Sequence, residues 1–316
     1  MLMLGFVAVT AATVTILVHR LPSGKCEDKK TECRYDLDAL KKTDPGLLIQ
    51  AGVCFVKPRM TNLTALVVDS VDNIYVGSNS GIEVLDSSGK RISGFPVSER
   101  VHCLAVMNNG DILAGLKSHV EVYGQDGSRK AVWKCPDPKA ELTSIAVSSN
   151  FVFAADCVNR IVWRFCMCGD LMGRIGDKDN DPRKTGFVVP SAFFDVAVAN
   201  DGSLWVANPG EHRIEHFTAD GKFLSFWGKA SLAADGFCGC CNPSNIALMP
   251  DGSFVTSEKH IVRVKVYSPE GKFSGIVSGQ EDWQKEAVGL DLAVDSHCRI
   301  LVLDPQAGVV RIYSKK

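Results

Sequence analysis

A four-residue run ending in apolar residues recurs six times along this chain. The runs are Ala65-Leu66-Val67-Val68, Cys103-Leu104-Ala105-Val106, Ser144-Ile145-Ala146-Val147, Asp195-Val196-Ala197-Val198, Asn245-Ile246-Ala247-Leu248 and Asp291-Leu292-Ala293-Val294. Measured at the second residue of each run, the steps are 38, 41, 51, 50 and 46 residues. A period near forty, with no amphipathic stretch long enough for a helical repeat, is that of a four-stranded sheet repeated around an axis. The segment from Phe237 to Gly279 shows one unit in full. An apolar run from Ser244 is closed by Pro250-Asp251-Gly252, a second run follows from Ser253, a third alternates apolar and charged residues from Val262 to Tyr267, and a fourth starts after Pro269-Glu270-Gly271. Asp-Gly and Glu-Gly between short apolar runs are turn chemistry, so each unit reads as four strands joined by tight turns.

Six units predict an all-β, six-bladed β-propeller over residues 46–316. The sixth unit reaches only its third strand before Lys316, and Leu47-Leu48-Ile49-Gln50-Ala51-Gly52-Val53-Cys54-Phe55-Val56 is a strand without a unit of its own. Docking this N-terminal strand on the last blade completes the ring and removes its open edge. Ahead of it, Met1 to Val18 carry no charge and predict one hydrophobic helix just long enough to span a bilayer. With no basic leader and no A-x-A site, residues 1–20 read as an uncleaved anchor in preference to a cleaved signal, and residues 21–45 as a polar stalk. The expected protein is single-pass, with its propeller outside the cytoplasm. Arg20, Lys25, Lys29 and Lys30 after the segment argue for the other orientation.

The 35 basic and 36 acidic residues nearly cancel and form no long single-sign run, which argues against nucleic acid as a partner. Twelve cysteines are many for a chain whose hydrophobic content suffices to build a core without disulfides.

Two further patterns carry a resemblance. Asp201-Gly202-Ser203-Leu204-Trp205-Val206-Ala207-Asn208 through Arg213-Ile214, and Pro250-Asp251-Gly252-Ser253 through Arg263-Val264-Lys265-Val266-Tyr267, resemble NHL repeats. Asp156-Cys157-Val158-Asn159-Arg160-Ile161 keeps an Asn-Arg step in the third unit, whereas Ser80-Gly81-Ile82 and Ser118-His119-Val120 depart from it. The chain is thus similar to bacterial NHL-repeat propellers that are exported or membrane-anchored. The resemblance implies a binding role and a partial arginine ring of Arg160, Arg213 and Arg263; it implies no reaction.

In such a ring the fourth-to-first strand connections and the second-to-third strand loops share one face. The three long steps place insertions in fourth-to-first connections, so all three decorate that face, where a protein, peptide or glycan is the expected ligand. The second insertion holds Cys238-Gly239-Cys240-Cys241. Three thiols in four residues offer soft ligands to a metal ion or an iron-sulfur cluster, with Cys157 on the same face as a candidate fourth ligand. A structural disulfide and free or redox-active thiols are the competing readings. His212 and His260 fall in rim loops, while Cys166 and Cys168 belong to the opposite face. Asp195, Asn245 and Asp291 open three successive inner strands. They suit either a calcium-dependent hydrolase site or, as preferred, a set of strand-end caps. No nucleophile elbow, phosphate loop or His-Glu-x-x-His motif is present.

Overall fold

The computed structural model describes residues 40–178, 186–284 and 287–315. Each apolar run is a strand. After β1 (Gln50–Val56), blade one consists of β2 (Leu63–Val68), β3 (Ile74–Ser78), β4 (Gly81–Leu85) and β5 (Arg91–Pro96). Blade two consists of β6 (Cys103–Val106), β7 (Ile112–Gly115), β8 (His119–Tyr123) and β9 (Arg129–Lys134). Blade three has β10 (Leu142–Val147), β11 (Phe151–Asp156), β12 (Ile161–Cys166) and β13 (Leu171–Ile175). Blade four has β14 (Val196–Val198), β15 (Leu204–Asn208), β16 (Arg213–Phe217) and β17 (Phe223–Trp227). Blade five has β18 (Asn245–Leu248), β19 (Phe254–Glu258), β20 (Arg263–Tyr267) and β21 (Phe273–Ser278), and β22 (Leu292–Val294), β23 (Ile300–Asp304) and β24 (Val309–Lys315) belong to blade six.

The strands form six four-stranded antiparallel sheets, the last in the order β1-β24-β23-β22. The N-terminal strand therefore completes the sixth blade, with Val53 opposite Tyr313 and Phe55 opposite Arg311. The expected six-bladed ring and its closure are both present.

The turns follow from their residues. Asp201 and Asp251 each accept the backbone N–H of the serine two positions on, at 2.9 Å, and Gly202 and Gly252 adopt φ of +82° and +83°. This left-handed conformation is one that glycine adopts without steric cost. In blade six Cys298 stands at the equivalent turn position with φ of +59°.

The core is divided into six apolar clusters, one between each pair of neighbouring blades. Trp133 and Phe165 join blades two and three, Phe187 and Phe194 pack between three and four, and Phe254 and Tyr267 pack between four and five. Val266 and Tyr313 lie between blades five and six, Val56 and Ile312 between six and one, and Phe95 and Tyr123 between one and two. Because every cluster is shared, no blade has a core of its own, and the ring is one cooperative unit.

The hydrophobic segment Met1 to Val18 and the stalk up to residue 39 lie outside the described residues. Among the described residues no helix is long and apolar enough to cross a membrane. Asp44 caps a short 3-10 turn, Pro45–Leu47, by accepting the Gly46 N–H, and Thr43 donates to Glu281.

Candidate functional site

The segments that lead into the inner strands surround a cavity of about 510 Å³ at one mouth of the central channel. Every blade contributes to it: Thr64 from the first, Arg100 and His102 from the second, Glu141 from the third, Phe193 from the fourth, Asn245 from the fifth and Asp291 from the sixth. Its volume lies within the range of small-ligand sites, and its wall carries both signs of charge beside an aromatic ring. Burial, followed by the charge of Arg100, holds His102 below the usual imidazole range, so it is a neutral donor and acceptor near pH 7.

Behind this cavity the channel is lined by the inner strands and by Asp195 and Asp291. Asp195 accepts the Ile246 N–H at 2.6 Å and its neighbour Val196 N–H at 2.9 Å. Asp291 accepts the Leu66 N–H at 2.7 Å and the Leu292 N–H at 2.9 Å. Each carboxylate thereby clasps its own inner strand to that of the next blade, the strand-capping role preferred from the sequence. Burial pushes Asp195 up to about 6 and, together with the charge of Asp195, Asp291 up to about 7. Neither belongs to a group of three or more metal-type donors among the described residues.

The cysteine loop between β17 and β18 is tied at many points. The ammonium of Lys265, a fully buried side chain, donates to the carbonyls of Gly236 at 2.7 Å and Ala234 at 3.2 Å and pairs with Glu258 at 3.2 Å. Phe237 is buried between blades four and five, and the Cys238 N–H donates to Glu258. The buried Asn242 donates to the carbonyls of Cys238 and Lys259 and accepts the Lys259 N–H at 3.0 Å. Gly239 turns the chain with φ of +81°, and its carbonyl lies 2.6 Å from His212 Nε2. The result is a fixed loop that presents Cys240 and Cys241 with their sulfurs 3.1 Å apart.

Cys240, Cys241 and His260 form one cluster whose donor atoms all lie within 4.8 Å of one another. Cys238 and Cys157, expected from the sequence to share this site, do not belong to it. Cys238 is buried beside Glu258, and burial raises its thiol. Cys157 is packed into the apolar cluster with Val189 and Phe194. His260, placed by a left-handed backbone with φ of +73°, takes the position that the sequence assigned to a cysteine. The loop is also the neighbour of the mouth. Lys259 Nζ donates to Ser191 Oγ at 2.6 Å and lies 4.6 Å from the centre of the Phe193 ring that lines the cavity.

The arginine ring is not formed. Asn208 and Glu258 pair with Arg213 and Arg263, but the equivalent partner of Asp156 is Ile161, which leaves Arg160 one position earlier in an exposed left-handed turn. Arg213 is held by Glu215 at 2.7 Å and stacks on Phe226, and Arg263 is buried; none of the three lines the mouth. Of the expected rim residues, Asn245 and Asp291 reach the cavity and Asp195 lies below it. Arg100 and Glu141 were missed because they sit in fourth-to-first connections of ordinary length, where no insertion marks them. Their charge immediately before an inner strand was the available signal. On the opposite face, a disulfide joins Cys166 and Cys168 in the turn between β12 and β13.

No family model matches the chain, and no curated protein matches it in sequence. Similar folds are found among solved structures. A streptogramin B lyase is 12% identical, with 84% of this chain and 98% of that one covered at a TM-score of 0.59. A catalytically inactive histidine-to-alanine variant of virginiamycin B lyase from Staphylococcus aureus, solved with quinupristin, is 12% identical over 82% of each chain at 0.58. A Bacteroides thetaiotaomicron protein of unknown function is 10% identical, with 84% of this chain and 73% of that one covered at 0.59. At these identities the likeness is one of fold: the chain is a six-bladed β-propeller with the architecture of the virginiamycin B lyases.

Proposed function

We propose that this chain is a binding propeller of the NHL type, held at a membrane by its N-terminal apolar segment, that takes a peptide or glycan in the mouth cavity. The observation that carries the reading is the construction of that cavity. One connecting segment from each blade contributes, and Arg100, Glu141, neutral His102 and the Phe193 ring supply a cation, an anion, a hydrogen-bonding imidazole and a stacking face. A few placed polar groups around an aromatic wall suit a ligand with polar groups of both kinds on an extended or ring-shaped body. The virginiamycin B lyase that was solved with quinupristin has the same fold, which agrees with ligand binding by such a ring. At 12% identity its reaction does not carry over.

The test is a peptide and glycan binding screen with the full chain in detergent, repeated with Arg100→Ala/Glu141→Gln. Wild-type ligands are expected to lose at least tenfold in affinity to the double variant while the melting temperature stays put. Absence of any ligand, or equal binding by the double variant, overturns the reading.

A further inference from the structure

We propose that Cys240, Cys241 and His260 form a binding site for one thiophilic d10 cation, with zinc(II) as its probe, leaving a fourth position open to solvent on the same face as the mouth.

Three independent features converge on this site. The first is geometric. Two thiolate sulfurs at about 2.3 Å from one zinc stand about 3.8 Å apart in a tetrahedral arrangement. The sulfurs here are 3.1 Å apart and the whole donor set lies within 4.8 Å, so a single ion is reached by small side-chain rotations with the backbone in place. The second is rigidity. Lys265, Asn242, Glu258 and His212 hold the loop on both sides of the pair, so the ligands are ordered before any ion arrives and little conformational freedom is lost on binding.

The third is charge. Lys259 is buried, and among the described residues no carboxylate pairs with it; its Nζ donates to the Ser191 hydroxyl and lies over the Phe193 ring. A buried ammonium is offset by an anion close by, and ligation to a metal holds thiols in the anionic form.

Cys240 and His260 are exposed, whereas Cys241 is buried, so solvent meets the site on the side of Cys240 and His260. Two sulfurs and one imidazole with an open position are the ligand set of a zinc site that also accepts a water or a substrate atom. A four-thiolate cluster is not offered here, since Cys238 and Cys157 point elsewhere. The proposal stands apart from the ligand reading of the mouth and does not depend on it.

The experiment uses the full chain, reduced and then freed of reductant under anaerobic conditions, with Cys26→Ser/Cys33→Ser included so that the N-terminal thiols cannot supply the result. Zinc(II) is titrated in competition with a chromophoric chelator, and cobalt(II) is used as a spectroscopic probe. Expected are one zinc per chain, retained by Cys157→Ser and by Cys238→Ser, lost in Cys240→Ser and in Cys241→Ser, and weakened at least tenfold in His260→Ala. Cobalt should show a thiolate charge-transfer band and a tetrahedral d–d envelope in the otherwise unaltered protein, a readout that needs no variant at the site to fold. A protein whose thiols count as free but which takes up no stoichiometric zinc overturns the proposal. So does zinc that survives both Cys240→Ser and Cys241→Ser.

Discussion

Blades three and five meet the loop-bearing face with cysteines that look alike by burial and differ in chemistry. Cys157, in the loop after β11, is 9% exposed, and Cys241, in the connection before β18, is 3% exposed. Depth alone would make Cys241 the more inert thiol. Burial, then the charges of Glu141 and Asp156, push Cys157 up to about 11, while hydrogen bonds from Lys259, Cys240 and Ser191 and the charge of Lys259 bring Cys241 below its ordinary value against burial. Burial acts upward on both thiols, and the neighbouring charges and hydrogen bonds decide which of them moves down. The same contrast runs through the carboxylates. Glu258 and Asp304 face Lys265 and Arg311, whereas Asp195 and Asp291 accept backbone N–H groups and pair with no cation among the described residues.

The largest effect should come from removing a charge from the paired class. In Lys265→Met the Glu258 carboxylate stays buried without its cation, and the Gly236 and Ala234 carbonyls lose their donor. Breaking a buried pair from one side costs about 3–5 kcal/mol. The urea midpoint should fall accordingly, and Lys265→Met/Glu258→Gln should recover part of the loss, because the amide still accepts the Cys238 N–H and carries no charge. A single variant that costs no more than an exposed substitution, about 0.5 kcal/mol, would break the comparison at its strongest point.

The unpaired class should be visible in the pH dependence of stability. Asp195 and Asp291 hold their protons up to about 6 and about 7 in the folded chain, against 3.8 for the ordinary side chain. Between these values the folded state binds more protons than the unfolded state, so the unfolding free energy falls as pH rises through this window and is level above it. For Asp291 the loss is about 4 kcal/mol. The measurement is the difference in pH slope between the wild type and Asp291→Asn from pH 4 to pH 8; parallel slopes would show that this carboxylate ionises without penalty.

These contrasts also mark what the sequence made legible. The ring was readable because its cause is local. Each blade repeats an apolar run before an Asp-Gly-type turn, and the surplus strand at Gln50–Val56 supplies the fourth strand of the blade that has three, beside β24. The clasp role of Asp195 and Asp291 was readable for the same reason, since both stand immediately before inner strands. Spacing did not show which donors meet across blades. His260 joins Cys240 and Cys241 because a left-handed residue turns it towards them, and Cys157 does not because Val189 and Phe194 cover it. Arg160 left the expected arginine ring through a one-residue register difference at Ile161 that only strand pairing reveals, and Arg213 and Arg263 are taken up by Glu215 and by burial. No pattern in the sequence marks Lys259, whose charge and hydrogen bond control the direction in which the Cys241 thiol moves.

That control gives the smallest of the expected effects and the one closest to function. Lys259→Met keeps an unbranched apolar side chain and removes the ammonium from Ser191, from Cys241 and from the face of Phe193. Burial then acts on Cys241 with only its bonds to Cys240 and Ser191 in opposition, which is closer to the situation of Cys157. Since the thiolate is the nucleophile, alkylation of Cys241 by iodoacetamide at pH 7 should slow several-fold, while the already slow reaction of Cys157 stays unchanged. Peptide mapping of the alkylated protein reads both sites in one sample, so Cys157 serves as the internal reference for access and folding. A Cys241 rate that ignores the substitution would mean that its thiolate owes nothing to Lys259. The difference between the two blades would then have to come from exposure of the neighbouring Cys240, whose own thiol is raised by its hydrogen bond with Cys241.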